Sequence, residues 1–283
     1  MRKFEFVPAE KSQLKARVLI SGAAGSGKTI AALELASALG GRVAVIDTEN
    51  GSAALYSDKY KFEMLNLQPP YPPEDFVQAI EVAENSGFDV IVVDGITPEW
   101  SGTGGCLDLH TKLGGRFQDW AKITPRHRKF IQKILECSTH IICTCRSKQG
   151  YAMDEQSKKV TKLGMAPEQR DGLDYEMTLV FNIINQTHLA EATKDRTGLF
   201  DGKQFLISKN TGLEILEWLN SGTPAKSPAP TITDVRNLLI SAGVKSIPDF
   251  KKVMMQVFGE EYNTLEELNQ EQLLTLYKEM KNG

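Results

Sequence analysis

Residues 17–29 read RVLISGAAGSGKT, and the fold is decided by how that stretch divides. Its first five residues, RVLIS, are a short apolar run, the signal of a buried strand. TIAALELASALG, which starts at Thr29, is rich in helix formers, so the glycine-rich turn before it joins a strand to a helix. Gly22, Ala23, Ala24, Gly25, Ser26, Gly27, Lys28 and Thr29 satisfy G-x-x-x-x-G-K-[ST] at every fixed position. The glycines let backbone N–H groups turn inward around phosphates, and the helix N-terminus adds its partial positive charge. In that arrangement Lys28 reaches the β- and γ-phosphates and the Thr29 hydroxyl binds Mg²⁺. The implied ligands are ATP and Mg²⁺.

Outward from this loop, short apolar strands alternate with helices. RVAVID (42–47) and FEMLNL (62–67) precede a helix that carries Phe76, Ile80 and Ala83. DVIVVD (89–94) and HIICTC (140–145) are separated by a helical stretch around 117–137. Continuous apolar strands alternating with helices predict an α/β fold with a mostly parallel sheet covered on both faces. After residue 172, YEMTLVFNII, HLAEAT and KQFLIS read as strands joined by short turns, one of them FDGK at 200–203. They predict an antiparallel extension of the sheet. SGTPAKSPAPT (221–231) reads as a stiff, solvated linker because of its three prolines. The expected organisation is a core over 1–220, this linker, and a small helical module over 232–283. In the module Phe250, Val253, Met254 and Val257 share a helix face, and Thr264 and Glu267 have capping-box spacing.

No run approaches the roughly 18 apolar residues of a membrane span, so no membrane association is expected. The N-terminus lacks a secretory h-region, and the expected location is the cytoplasm. Cys143 and Cys145 alternate on one strand face near His140, but no second ligand pair has zinc spacing, so buried thiols are expected there. The net charge of −3 confines any nucleic-acid contact to a local basic patch.

Asp94 ends the strand DVIVVD, a place from which a carboxylate downstream of a phosphate loop binds the metal. RVAVIDTENGSAALY, then FEMLNLQPP, then SGFDVIVVDGITPEW resemble RecA recombinases in order and spacing. The resemblance covers about residues 17–220 and implies a RecA-like P-loop NTPase core. It implies that Glu49, two residues beyond Asp47, polarises the attacking water, and that Tyr56 packs on adenine. HIICTC followed by Arg146 and Lys148 is similar to the RecA strand that leads into a DNA-binding loop. RecA has a γ-phosphate-sensing glutamine at the position of Arg146, so the chain departs from the pattern there.

Residues 147–171 show no clear periodicity and read as a long loop, the kind that carries function. Lys148, Lys158, Lys159, Lys162 and Arg170, with Arg146 just before them, give a modest basic excess over the acidic residues of the segment, which suits a DNA backbone, and Tyr151 offers a stacking surface for a base. Lys194 and Arg196, in KDRTG, match a cationic pair of RecA and of DnaB-type hexameric helicases that grips the nucleotide of the neighbouring subunit. That match implies catalysis at subunit interfaces of a homo-oligomeric filament or ring. Phe6, Val7, Pro8 and Ala9 are similar to the F-x-x-A motif through which RadA-type recombinases join subunits.

The core is short, and the layout is similar to the shortened RecA-type recombinases of bacteriophages. Those proteins act in single-strand annealing with a single-strand binding protein, a partner the 232–283 module is suited to dock. Their cytoplasm would be that of the host cell. The implied function is an ATP-dependent, single-stranded-DNA-binding recombinase or annealing protein. Two alternatives share the phosphate loop: an ATP-switched assembly module, and a hexameric helicase-type motor.

Overall fold

Strands that bury both faces make the centre of this protein. Every residue of β2 (Val43–Asp47) and β4 (Val90–Asp94) is buried, as are all but the first of β1 (Arg17–Gly22). The structure is a computed structural model and describes residues 13–153, 160–223, 232–244 and 246–282. With β3 (Glu63–Asn66), β5 (His140–Met153), β7 (Leu179–Ile183), β8 (Ala190–Asp195) and β9 (Gln204–Phe205), these strands form a sheet of order β3-β2-β4-β5-β1-β7-β8-β9. Strands from β3 to β7 in that order run parallel, and β8 and β9 add antiparallel.

Helices cover both faces, which is why the strands carry continuous apolar runs. α1 (Lys28–Leu39) and α7 (Lys209–Asn220) pack on one face with Val18, Ile20, Val45, Val92 and Phe181. α2 (Pro73–Asn85) and α5 (Trp120–Glu136) pack on the other with Leu19, Ile46, Ile91 and Ile141. α3 (Thr97–Ser101) and α4 (Cys106–Lys112) lead from β4 toward α5. Gly212 lets α7 approach α1, because a Cβ there would lie 2.4 Å from the Ala38 methyl. Arg17 donates to the carbonyls of Leu135 and Thr139, and so ties the end of α5 to the start of β1.

Three expectations need correction. Residues 147–171 are not a structureless loop: β5 continues to Met153, and β6 (Val160–Pro167) returns antiparallel to it, making a two-stranded ribbon. YEMTLVFNII begins instead with a helical turn, α6 (Leu173–Glu176), entered through Gly172 at φ 102°, and the strand starts only at Leu179. KQFLIS pairs only at Gln204 and Phe205, because Ser208 caps α7, its hydroxyl and the Thr211 side chain making a capping box.

The chain divides into two compact units, Met1–Thr223 and Pro224–Gly283. In the second, α8 (Ile232–Ser241), α9 (Ile247–Phe258) and α10 (Gln270–Asn282) enclose Val235, Leu239, Met254, Leu265, Leu273 and Leu276. Thr264 starts a short 3₁₀ turn without a side-chain cap. The reciprocal capping bonds instead join Asn269 and Gln272 at the start of α10. Among the described residues, no helix is long and apolar enough to cross a membrane.

Candidate functional site

Parallel pairing brings the carboxyl ends of β1, β2, β4 and β5 to one edge of the sheet. Gly22 pairs with Arg146, and Asp47 with Asp94. Crevices outside such strand ends are where open α/β sheets bind ligands. A cavity of about 720 Å³ opens there. It is lined by the loop Ala24–Thr29, Glu49, Tyr56, Asp94 and Arg146, so the sequence-predicted nucleotide residues other than Gly22 and Ala23 share one space.

The loop takes its form from its glycines. Gly25 (φ 76°) and Gly27 (φ 96°) are left-handed, and a Cβ on Gly22 would lie 2.4 Å from Ser26 Oγ. Ser26 Oγ is buried with no protein partner. Lys28 Nζ donates to the Ala23 carbonyl at 2.9 Å, inside the curve of the loop. Burial is the main cause that lowers the Lys28 pKa, with Glu49 and Asp94 opposing it. A phosphate beside Lys28 would offset that desolvation.

Asp94 is buried and fully occupied. Its Oδ2 accepts from Thr29 Oγ1 at 2.9 Å, and its Oδ1 accepts from Thr144 Oγ1 at 2.7 Å. Burial raises its pKa first; the two hydroxyls lower it, and Asp47 and Glu49 raise it further. A hydroxyl and a carboxylate are hard oxygen donors of the kind Mg²⁺ selects, so Thr29 and Asp94 fit that ion.

Glu49 is aimed by Asp47. The buried Asp47 carboxylate accepts backbone N–H bonds from Glu49 (2.7 Å), Gly51 (3.1 Å) and Ala53 (3.0 Å). Thr48 Oγ1 donates to the carbonyls of Asp94 and Gly95, which locks the turn to β4. The Glu49 carboxylate thus projects into the cavity, where Arg146 Nη2 donates to both oxygens at 2.9 and 3.0 Å. Arg146 is itself held by its backbone N–H, which donates to Thr97 Oγ1 at 2.9 Å.

Lys194 and Arg196 stand elsewhere. Lys194 pairs with Val180, and the Arg196 N–H donates to the Thr178 carbonyl beside the start of β1. The phosphate loop leaves the other end of β1, roughly 10 Å along the strands from the level of Lys194 and roughly 16 Å from that of Arg196, and neither residue lines the cavity. Both cations donate to the Tyr175 carbonyl, and Lys194 also to that of Asp174 at 2.9 Å.

Of the expected DNA residues, Lys148 is exposed on the outgoing arm of the ribbon, and Tyr151 pairs with Lys162 across it. Lys158, Lys159 and the stretch Phe6–Ala9 lie outside the described residues. Arg170 is not on the ribbon. Its Nη1 donates to Thr124 Oγ1 at 3.0 Å, and its guanidinium lies 5.7 Å from the Trp120 ring. That ring stacks between Trp100 and His110, next to Phe117, which is 92% exposed. Sequence reasoning missed this aromatic patch, whose signal was the pair of aromatics in RFQDW. It also missed His188, which lines the cavity at φ 57° with Nδ1 2.9 Å from the Ser26 carbonyl, and Thr144, placed beside Asp94 only by the β4–β5 pairing.

A loop, a hydroxyl–carboxylate pair and a second carboxylate at the ends of parallel strands define a P-loop NTPase. The chain matches the AAA domain over residues 14–212 and belongs to that family. No curated protein matches the chain. Family membership carries a nucleotide-dependent activity, and AAA proteins with a P-loop generally bind ATP with Mg²⁺.

Proposed function

We propose that this chain is an ATPase of the RecA type that holds nucleotide between subunits and binds single-stranded DNA, as a recombinase or annealing protein. The continuity of β5 carries the reading. One strand places Thr144 on Asp94 and Arg146 on Glu49, then runs on without a break into the ribbon that carries Lys148. Nucleotide and ribbon are therefore coupled through a single hydrogen-bonded element.

Two further observations support the reading. Lys194 and Arg196 do not line the cavity of their own loop, which favours action on a neighbour's nucleotide in an oligomer. Phe117, Trp120, Arg128 and Arg170 border one shallow cavity, and aromatic faces beside guanidinium groups suit the bases and phosphates of a single strand. In the second unit, Ile240 and Ile247 are exposed beside Arg236, a surface suited to a single-strand binding protein.

ATP turnover measured with and without single-stranded DNA tests the reading, and stimulation is expected. Replacing Lys148, Lys158, Lys159 and Lys162 by glutamate should remove most of that stimulation. It should also flatten the salt dependence of binding by about 0.7 in the log–log slope for each lost phosphate contact. If single strands neither bind nor stimulate the assembled protein, the reading fails and an ATP-switched assembly module takes its place.

A further inference from the structure

Behind the Asp94 strand, away from the nucleotide cavity, three metal-ligating side chains from three separate elements meet in the interior. Glu99 comes from α3, Cys106 opens α4, and His127 lies in the middle of α5. One ligand atom of each lies within 4.8 Å of the others. All three are buried, Glu99 and Cys106 completely. We propose that Glu99, Cys106 and His127 bind a zinc ion that fastens α3, α4 and α5 together.

The arrangement around Glu99 supports this. Its Oε1 faces both other ligands, with His127 Nδ1 at 3.0 Å and Cys106 Sγ at 3.2 Å. Its Oε2 lies 3.2 Å from the same His127 Nδ1 and also accepts from the Gln169 amide at 3.2 Å, which donates to the Ile96 carbonyl as well. A carboxylate turned toward the other ligands and held in place by an outer amide is how a metal-bound carboxylate is oriented. The path between ligands is also tight. A Cβ on Gly105 would lie 2.4 Å from the Pro98 carbonyl oxygen, so the chain doubles back closely enough to return Cys106 over Glu99.

Charge selects the ion. Carboxylate and thiolate together carry −2 and neutral imidazole carries none, so a divalent cation leaves the buried cluster neutral. Without a cation, a carboxylate with no exposure must share protons with its neighbours. Carboxylate, imidazole and thiolate are the donors Zn²⁺ accepts, in a tetrahedron whose fourth position is left to a water. On binding, Cys106 gives its thiol proton to solvent, and His127 presents the Nδ1 lone pair with its ring proton on Nε2. Because the thiol must lose its proton to bind, uptake should release protons and weaken as pH falls.

The full chain, expressed with added zinc and purified without chelator, should contain about one zinc per chain by elemental analysis. Cys106→Ser and His127→Ala should each fall below about a tenth of that, and Gln169→Ala should bind about 10–100-fold more weakly. Cobalt in place of zinc should give the intense visible bands of a tetrahedral site and a near-ultraviolet thiolate band that Cys106→Ser lacks. Should a ligand variant fail to fold, the wild-type metal content and its loss of thermal stability on chelation decide the matter. Wild-type chain that stays metal-free after dialysis against micromolar zinc, or a Cys106→Ser chain that binds zinc as wild type does, overturns the proposal.

Discussion

Arg146 grips both carboxylate oxygens of Glu49, at 2.9 and 3.0 Å, across the mouth of the nucleotide cavity. The Arg146 side chain is 52% exposed and that of Glu49 33%, so the pair contributes less than about 1 kcal/mol to stability. It is easily opened. Arg146→Ala should leave the unfolding temperature of the free protein nearly unchanged and alter turnover, as read by parallel calorimetry and ATPase assays. Glu49→Gln should keep nucleotide affinity within a few-fold and lower turnover by about 10²–10⁴. Unchanged turnover in Glu49→Gln would remove Glu49 from the chemistry.

Asp94 is ionised at a cost, since burial, Asp47 and Glu49 all raise its pKa. Asp94→Asn keeps partners for Thr29 and Thr144 while removing the charge. The variant should unfold at a higher temperature, by roughly 2–4 °C for each kcal/mol of penalty removed. It should also lose Mg²⁺-dependent nucleotide binding. A lower unfolding temperature would show that the two hydroxyl bonds outweigh the desolvation of the carboxylate.

Lys194 and Arg196 stand outside the cavity of their own loop. Arg196→Ala and Glu49→Ala proteins should each be inactive, and a mixture should recover part of the turnover, because some interfaces join an intact Glu49 to an intact Arg196. A co-assembled mixture as inactive as its components would place the cationic pair outside the reaction.

His140 is buried, and its Nδ1 accepts the N–H of Ala16 at 3.0 Å. Burial first, then Lys15 and Arg17, lower its pKa from 6.5 to about 4. The unfolded chain takes up this proton at a pH where the folded chain refuses it. The associated stability is therefore present above pH 6.5 and is lost as pH falls toward about 4, by up to roughly 3 kcal/mol at about 1.4 kcal/mol per pH unit. His140→Asn retains an acceptor for Ala16 and should lose less stability than wild type across that range in urea titrations. Parallel curves for the two proteins would discount His140.

The parallel sheet was legible because RVLIS, RVAVID and DVIVVD are apolar without alternation, as strands covered on both faces must be. The ribbon was not legible. Beyond Arg146 its arms pair with each other, and the polar composition of 147–171 looked like a loop. α7 was hidden because KQFLIS looks like a strand up to the serine that caps the helix. Within the site, the loop, Glu49, Asp94 and Arg146 could be named from order alone, whereas Thr144 and His188 reach the cavity by strand register and a left-handed turn. Glu99, Cys106 and His127 were invisible together, because they stand on three different helices and 28 positions separate the first from the last.

The pairing of β5 with β6 runs from Ser147 opposite Pro167 to Met153 opposite Val160, with one register shift between Gly150 and Tyr151. In such a ribbon, losing one residue from one arm turns over every side chain beyond it, whereas losing two keeps each on its own side. Lineages descended from this chain should therefore lengthen or shorten the ribbon in even steps. An odd change is tolerable only near Gly150, where an unpaired residue is already absorbed.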